Sequence, residues 1–147
     1  MLNRLQENHQ HILVLAGELE ALLGDKPPQD LVELARVRWL LGREVMEHLA
    51  LEDRYIYGPL AADRRPEAAL ATLHYIRTFH GLREAFVKHM TRWCGNSVLV
   101  DWAAYRSSVI DLLDQFRKRA LEEEKHVYPL LLGRLNRPPK RWTAEPA

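Results

Sequence analysis

The amino-acid sequence predicts an all-α protein, an up-down-up-down antiparallel four-helix bundle. Apolar residues recur at intervals of three, four and seven along four separate stretches, which is the spacing of one face of an α-helix. Short segments rich in proline, glycine or asparagine separate these stretches, and short connections favour antiparallel neighbours. No stretch alternates apolar and polar residues in the way that a half-buried strand would.

The first two helices have clear predicted limits. The first is expected over residues 2–23 and ends at Gly24, since glycine commonly terminates a helix. The prolines that follow it form a turn, because proline cannot continue a helix and restricts the residue before it. Asp30 is then expected to cap the second helix, which runs to about Tyr57 and loosens at Gly58-Pro59.

The third and fourth helices are predicted from similar signals. The third covers residues 66–93 and begins at Pro66, because proline is well suited to the first position of a helix. Asp101 is expected to cap the fourth helix, which runs through Glu123. Pro129 is expected to kink or shorten that helix.

Composition indicates one globular domain. The chain has 147 residues, of which 47% are hydrophobic and 28% are charged, a balance typical of a single folded domain. We assign the helical domain to residues 1–134 and a proline-rich tail to residues 135–147. Trp39 and Trp102 are predicted to anchor the core.

Several classes of protein are excluded as first expectations. A formal net charge of +1 offers no basic surface for nucleic acid. The single cysteine, Cys94, cannot form an intrachain disulfide, which fits a reducing compartment. No run approaches the roughly 20 apolar residues of a membrane span, and the N-terminus lacks a signal-peptide core. We therefore expect a cytoplasmic protein with no nucleic-acid or membrane partner, and the sequence leaves a homodimer open.

One helix carries a histidine and a glutamate on the same face. His48 and Glu52 are four residues apart, so they lie one turn apart beside the apolar stripe. An ionised carboxylate is costly to bury without a partner. The pair therefore indicates either a pairing partner or a metal ion.

An internal repeat extends this pattern to both halves of the chain. The positions related by an offset of 71 residues are His9 and His80, His48 and Arg119, and Glu52 and Glu123. Such a pseudo-twofold brings histidines and carboxylates from all four helices around two metal ions. Imidazole with carboxylate suits iron or manganese better than calcium, and the absence of cysteine ligands argues against a zinc-thiolate site.

These motifs resemble those of a known family. They are Leu5-x-x-Asn8-His9-x-x-Ile12, His48-x-x-x-Glu52 and Glu123-Glu124-x-x-Val127-Tyr128-Pro129. They resemble the repeated pattern of hemerythrin-like (HHE cation-binding) domains over most of residues 5–132. The resemblance implies a di-iron centre bridged by Glu52 and Glu123, with His9, His48 and His80 as terminal ligands. It also implies reversible binding or sensing of O2, NO or iron.

Arg119 departs from the family pattern, which has a histidine at this position. A guanidinium is always cationic and cannot donate a lone pair to a metal. His126, three residues after Glu123, could replace the missing imidazole, or Glu84 could supply an oxygen instead. Alternatively, the second metal is absent or weak and Arg119 pairs with Glu52 or Glu123. The metal ligands that we predict are His9, His48, Glu52, His80, Glu123 and His126.

The leading functional hypothesis is a non-heme iron protein of hemerythrin type, with two iron ions bridged by carboxylates. It would bind or sense O2 or NO, or handle iron, and would not be a conventional enzyme. The second hypothesis is an enzyme-like reaction with peroxide or NO, or the repair of damaged iron centres. The third is a metal-free helical interaction module in which Arg119 replaces a metal ligand.

Overall fold

The computed structural model describes residues 1–135, and the regular structure in this part of the chain is entirely helical. The α-helices are α1 (Leu2–Ala21), α2 (Leu31–Glu52), α3 (Gly58–Ala61), α4 (Pro66–Phe79), α5 (Leu82–Arg92), α6 (Ser97–Val100), α7 (Trp102–Glu122) and α8 (Tyr128–Leu135). The first π turn, Asp53–Tyr57, joins α2 to α3, and the second π turn, Glu123–Val127, joins α7 to α8. The predicted tail lies outside the described residues from position 136 onward.

The predicted helix starts are confirmed. The Asp30 side chain accepts a hydrogen bond of 2.9 Å from the Glu33 amide at the start of α2. The Asp101 side chain accepts one of 3.1 Å from the Ala104 amide at the start of α7. Each aspartate thereby satisfies a backbone N–H that has no partner within its helix. Pro66 is the first residue of α4, as its missing N–H predicts.

The prediction of one continuous third helix is wrong. It is two helices, because the backbone leaves the helical conformation at His80, where ψ is 132°. Gly81 follows with a φ of +92°, a left-handed conformation that glycine adopts without steric cost. The chain then re-enters a helix at Leu82 in a new direction.

Both sequence-related halves contain a π turn that ends two residues before a proline. The Gly58 amide bonds to the Asp53 carbonyl, and the Tyr128 amide bonds to the Glu123 carbonyl. A proline follows directly in each case, and in an α-helix its ring would clash with the carbonyl four residues earlier. The wider turn relieves this clash, so the helical segment continues past Pro129 in α8. The predicted shortening is therefore wrong, and the distortion that accompanies the proline is the π turn.

The helices enclose two separate apolar cores. α1 packs against α2 and α7, and α5 packs against the same two helices. The main core lies among them, and it includes Tyr105 and Phe116. The end core consists of Leu5, Ile56, Tyr57, Leu60, Val127, Tyr128 and Leu131. None of the helices within residues 1–135 has the length and apolar character needed to cross a bilayer.

The two tryptophans that were predicted to be buried differ. Trp102 is 8% exposed and belongs to the main core, which confirms that prediction. Trp39 is 63% exposed, so the prediction is wrong there. The buried face of α2 includes Val37 and Leu41. Trp39 is two positions from each of them, so it lies on the opposite side of the helix.

A polar layer separates the two cores. On α1, Leu5 belongs to the end core and Ile12 to the main core, and the buried His9 lies between them. Glu52 and Glu123 have the same intermediate position at the ends of α2 and α7. The fold therefore places ionisable side chains in a region that is closed to water on both sides.

Candidate metal centre

Four side chains with metal-binding groups meet in the polar layer. His9 comes from α1, His48 and Glu52 from α2, and Glu123 from the second π turn. One nitrogen or oxygen from each of the four lies within 4.8 Å of the others. Each residue is at most 1% exposed. Two imidazoles with two carboxylates form a donor set that suits iron or another transition metal.

The donor atoms converge, yet some of them lack hydrogen bonds. His48 Nε2 lies 3.0 Å from Glu52 Oε1, and His9 Nε2 lies 3.6 Å from the same oxygen and 3.7 Å from Glu123 Oε2. Despite this proximity, both ring nitrogens of His48 and Glu123 Oε2 are buried without a hydrogen-bond partner among the described residues. Buried polar atoms normally have a partner. A cation bound here would satisfy His48 Nε2 and Glu123 Oε2, so the residues present fit a metal ion.

Arg119 binds both carboxylates from one side. Its Nη2 donates to Glu52 Oε2 at 2.8 Å, and its Nε donates to Glu123 Oε1. Arg119 thus takes one oxygen of each carboxylate, and the other oxygen of each lies near His9. Its guanidinium also lies over the rings of Tyr57 and Phe79, at 5.4 and 5.5 Å from their centroids. The sequence left open that Arg119 pairs with Glu52 or Glu123 in place of a metal-binding histidine, and the structure contains both ion pairs.

Two further residues orient the donors. His9 Nδ1 is hydrogen-bonded to Glu124 Oε1 at 2.8 Å, which directs Nε2 toward the cluster. The Tyr128 hydroxyl donates to Glu52 Oε1 at 2.8 Å, and its ring stacks on His9 at 5.8 Å. Such contacts fix the rotamers of metal-binding side chains. The sequence reasoning quoted both residues in the motif but assigned them no role.

The second π turn explains why Tyr128 was missed. On a regular α-helix, a residue five positions after Glu123 would lie about 140° away from it around the axis. In the structure the Tyr128 amide bonds to the Glu123 carbonyl instead, so the two residues stack along one face. The only sequence signal for this change is the proline at position 129.

The structure does not bring His126 or His80 into the cluster. The His126 side chain is 55% exposed and lies 3.8 Å from Glu122, because the π turn moves it off the face that Glu123 occupies. His80 is exposed at the break between α4 and α5. His80 and the exposed Glu84 line a cavity of about 290 Å³ that also reaches Arg119. Four of the six predicted ligands are therefore together, and two are not.

Burial and mutual contact shift the pKa values of His9, Glu52 and Glu123. Burial opposes the charged form of His9, but the nearby carboxylates of Glu123, Glu52 and Glu124 raise its pKa to about 10. Burial also opposes ionisation of Glu52, yet the close polar groups of Glu123, His48 and His9 hold its pKa well below the usual value. Burial and the negative charge of Glu52 raise the pKa of Glu123 to about 8. Without a metal the cluster retains protons, and a cation would have to displace them.

Comparison with known proteins agrees with this geometry. The family model described as the hemerythrin HHE cation binding domain matches residues 1–131. The match includes all four donors, Arg119, Glu124 and Tyr128. No curated protein and no solved structure matches the chain.

Proposed function

The chain belongs to the hemerythrin HHE cation-binding domain family, and we propose that it is a non-heme iron protein holding one iron ion. The observation that carries this proposal is the convergence of four buried donor atoms within 4.8 Å. The unpartnered atoms of His48 and Glu123 support it further, since a bound cation would remove the cost of leaving them unsatisfied.

Arg119 is the reason for proposing one ion instead of two. A carboxylate that bridges two metals gives one oxygen to each. In this chain Arg119 holds Glu52 Oε2 and Glu123 Oε1, so only the opposite oxygens remain for a metal. A second cation on the Arg119 side would also meet the positive charge of the guanidinium at short range. The di-iron form would require Arg119 to leave both carboxylates.

Iron held by these imidazole and carboxylate groups would supply an open coordination position for a small ligand such as O2 or NO. The surrounding residues prepare the site for this role. Glu124 orients His9, and Tyr128 fixes Glu52 through its hydroxyl. The cores above and below exclude water, which strengthens the electrostatic hold on a cation. Handling of iron itself is the alternative within this proposal.

We also propose the up-down-up-down topology for the long helical segments. The packing of α1 and α5 against the same two helices supports it, as do the short connections between the segments. In this arrangement α2 and α7 lie diagonally opposite each other. They would present Glu52 and Glu123 to the same interior space.

The test is an iron count after anaerobic reconstitution with ferrous iron. We expect one iron per chain, loss of that iron in His48→Ala and His9→Ala, and its retention in His126→Ala and His80→Ala. The last two variants are matched controls, because they remove exposed histidines. Two irons per chain would contradict the single-ion site, and loss of iron in His126→Ala would contradict the ligand set.

Two other functions make different predictions. An enzyme reacting with peroxide or NO would turn these compounds over repeatedly, whereas a carrier would bind them once per site. A metal-free interaction module is favoured by the two contacts of Arg119, which already satisfy one oxygen of each carboxyl group. Failure of the wild-type protein to retain iron after reconstitution would support that module and reject the iron proposal.

A further inference from the structure

A second and larger cavity lies along α2, α5 and α7, apart from the metal cluster. Its volume is about 890 Å³, within the range of small-molecule sites. Its walls are mainly apolar and aromatic, and no residue of the metal cluster lines it. On α2 it extends from Leu31 to Glu47, so it ends just before His48.

Tyr105 gives this cavity a buried polar group that lacks a partner. The residue is 0% exposed and lines the cavity. Its hydroxyl forms no hydrogen bond with any of the residues that the structure describes. Burial raises the pKa of this phenol to about 12, so it remains a proton donor at neutral pH. A buried donor without an acceptor is rare in folded proteins, and a ligand oxygen would supply the acceptor.

Arg38 places a positive charge beside the same hydroxyl. Its guanidinium lies 5.0 Å from the centroid of the Tyr105 ring, and its Nη2 donates to the Trp93 carbonyl. It forms no ion pair with a carboxylate in the described part of the chain, although neighbouring arginines on α2 do. This cation therefore lines the cavity without an ion-pair partner in the described residues, and the other charged residues of the lining, Arg43 and Glu47, lie further along α2.

His89 does not add a competing charge. Burial, together with the nearby Arg38, lowers the pKa of His89 to about 4. Its Nδ1 is hydrogen-bonded to the Ser108 hydroxyl at 2.7 Å, so the ring is neutral and already partnered at neutral pH. The polar end of the cavity is thus one cation and one hydroxyl donor, a pair suited to a single anionic group.

The remaining walls suit a flexible apolar chain. Met46 and Met90 line the cavity, and methionine side chains adapt to irregular apolar ligands. A Cβ at Gly42 would come within 3.0 Å of the Met90 sulfur, so glycine allows the Met90 side chain to pack closely against α2 at this wall. Trp39 lines the same cavity although it is 63% exposed, which places a large aromatic surface at the rim.

We propose that this cavity binds an amphiphilic carboxylic acid of the fatty-acid type. The carboxylate lies against Arg38 and Tyr105, and the alkyl chain lies along the apolar wall formed by α2 and α5. The proposal is independent of iron, because the two sites share no residue. By the helical rise of 1.5 Å per residue, Arg38 and Glu52 are about 21 Å apart along α2.

The experiment is calorimetric titration of the full-length protein with dodecanoate, kept below its micellar concentration, and with dodecanol as the uncharged comparison. We expect dodecanoate to bind with one site per chain and at least about tenfold more tightly than dodecanol. Arg38→Gln and Tyr105→Phe should each weaken dodecanoate binding by about tenfold. Arg36→Gln and Tyr75→Phe are matched controls whose side chains do not line the cavity, and both should bind as the wild type does.

A cavity-filling variant keeps the proposal testable if Tyr105→Phe fails to fold. Ala35 lines the cavity from an exposed position on α2, so Ala35→Trp should fold and should abolish binding. Absence of dodecanoate binding by the wild type would overturn the proposal. Equal affinity for dodecanol, or equal binding by Arg38→Gln and Arg36→Gln, would also overturn it. Each of these results is independent of the iron count.

Discussion

The guanidinium of Arg119 holds two carboxylates together where water is excluded. Without this cation, Glu52 and Glu123 would each lose a buried hydrogen bond, and the Glu52 carboxylate would lose its ion pair with Arg119. We expect Arg119→Gln to lower the free energy of unfolding of the iron-free protein by about 3–5 kcal/mol. Urea denaturation measures this change.

Arg117 supplies the matched control for Arg119. It lies on the same helix, and its side chain is 38% exposed in an ion pair with Glu20. A pair at this exposure contributes only about 0–1 kcal/mol, so Arg117→Gln should change the free energy of unfolding by no more than that. Equal effects of the two substitutions would contradict the structural role given to Arg119.

His89 should make stability depend on pH in the acid range. In the unfolded chain the imidazole has a pKa near 6.5, and in the folded protein burial lowers it to about 4. As the pH falls, His89 is therefore protonated in the unfolded state before it is protonated in the folded state. The contribution of neutral His89 to stability is complete above pH 6.5 and is lost as the pH falls toward 4. The loss should be at most about 3 kcal/mol.

The His89→Gln variant isolates this contribution. Glutamine retains a polar group near Ser108 but does not titrate. The free energy of unfolding of the wild type, measured in urea between pH 7 and pH 4, should fall more steeply than that of the variant. Parallel curves for the two proteins would show that His89 is not responsible.

At the scale of the helices, the break between α4 and α5 depends on one glycine. Gly81 has a φ of +92°, and a side chain there costs about 1–2 kcal/mol. Gly81→Ala should therefore destabilise the protein by about that amount in urea denaturation. Gly17 is the matched control, since it lies inside α1 and a Cβ there would meet nothing within 4 Å. Gly17→Ala should stabilise the protein by about 0.5–1 kcal/mol, and a loss of stability there would contradict this account.

The helices also show where sequence reasoning succeeds and where it stops. Periodicity and capping residues predicted the helical class and the starts of α2, α4 and α7, because these signals are local. The break at His80 and the π turn around His126 change the direction of side chains by changing backbone geometry. Regular helical spacing assumes unbroken α-helices, so it grouped His126 with Glu123, and the internal repeat likewise added His80 to the predicted ligands.

The internal repeat was more informative for the candidate site than the spacing of any single helix. It singled out His9, His48, Glu52 and Glu123, which the structure brings together, and also His80, which lies outside the cluster. It also drew attention to Arg119, whose ion pair follows from charge complementarity alone. The roles of Glu124 and Tyr128 were not identified, since the second π turn changes the direction in which these side chains leave the helix.

At the scale of the whole molecule, the polar layer joins segments that are distant in sequence. Its four donors come from α1, α2 and the second π turn, and their positions range from residue 9 to residue 123. The unfolded chain cannot present these groups together. A metal that binds all four therefore binds the folded state almost exclusively, and its binding free energy adds to the stability of the fold.

This linkage predicts a dependence of unfolding on iron. Ferrous iron at about 100 times its dissociation constant should raise the free energy of unfolding by about 2.7 kcal/mol under anaerobic conditions. Glu52→Gln should abolish the increase, because it removes a negative donor from the centre of the cluster. His126→Ala should retain it, since that side chain is 55% exposed and lies outside the cluster. An equal gain in wild type and Glu52→Gln would mean that iron binds the folded protein at a site that does not use Glu52, which would contradict the proposed ligand set.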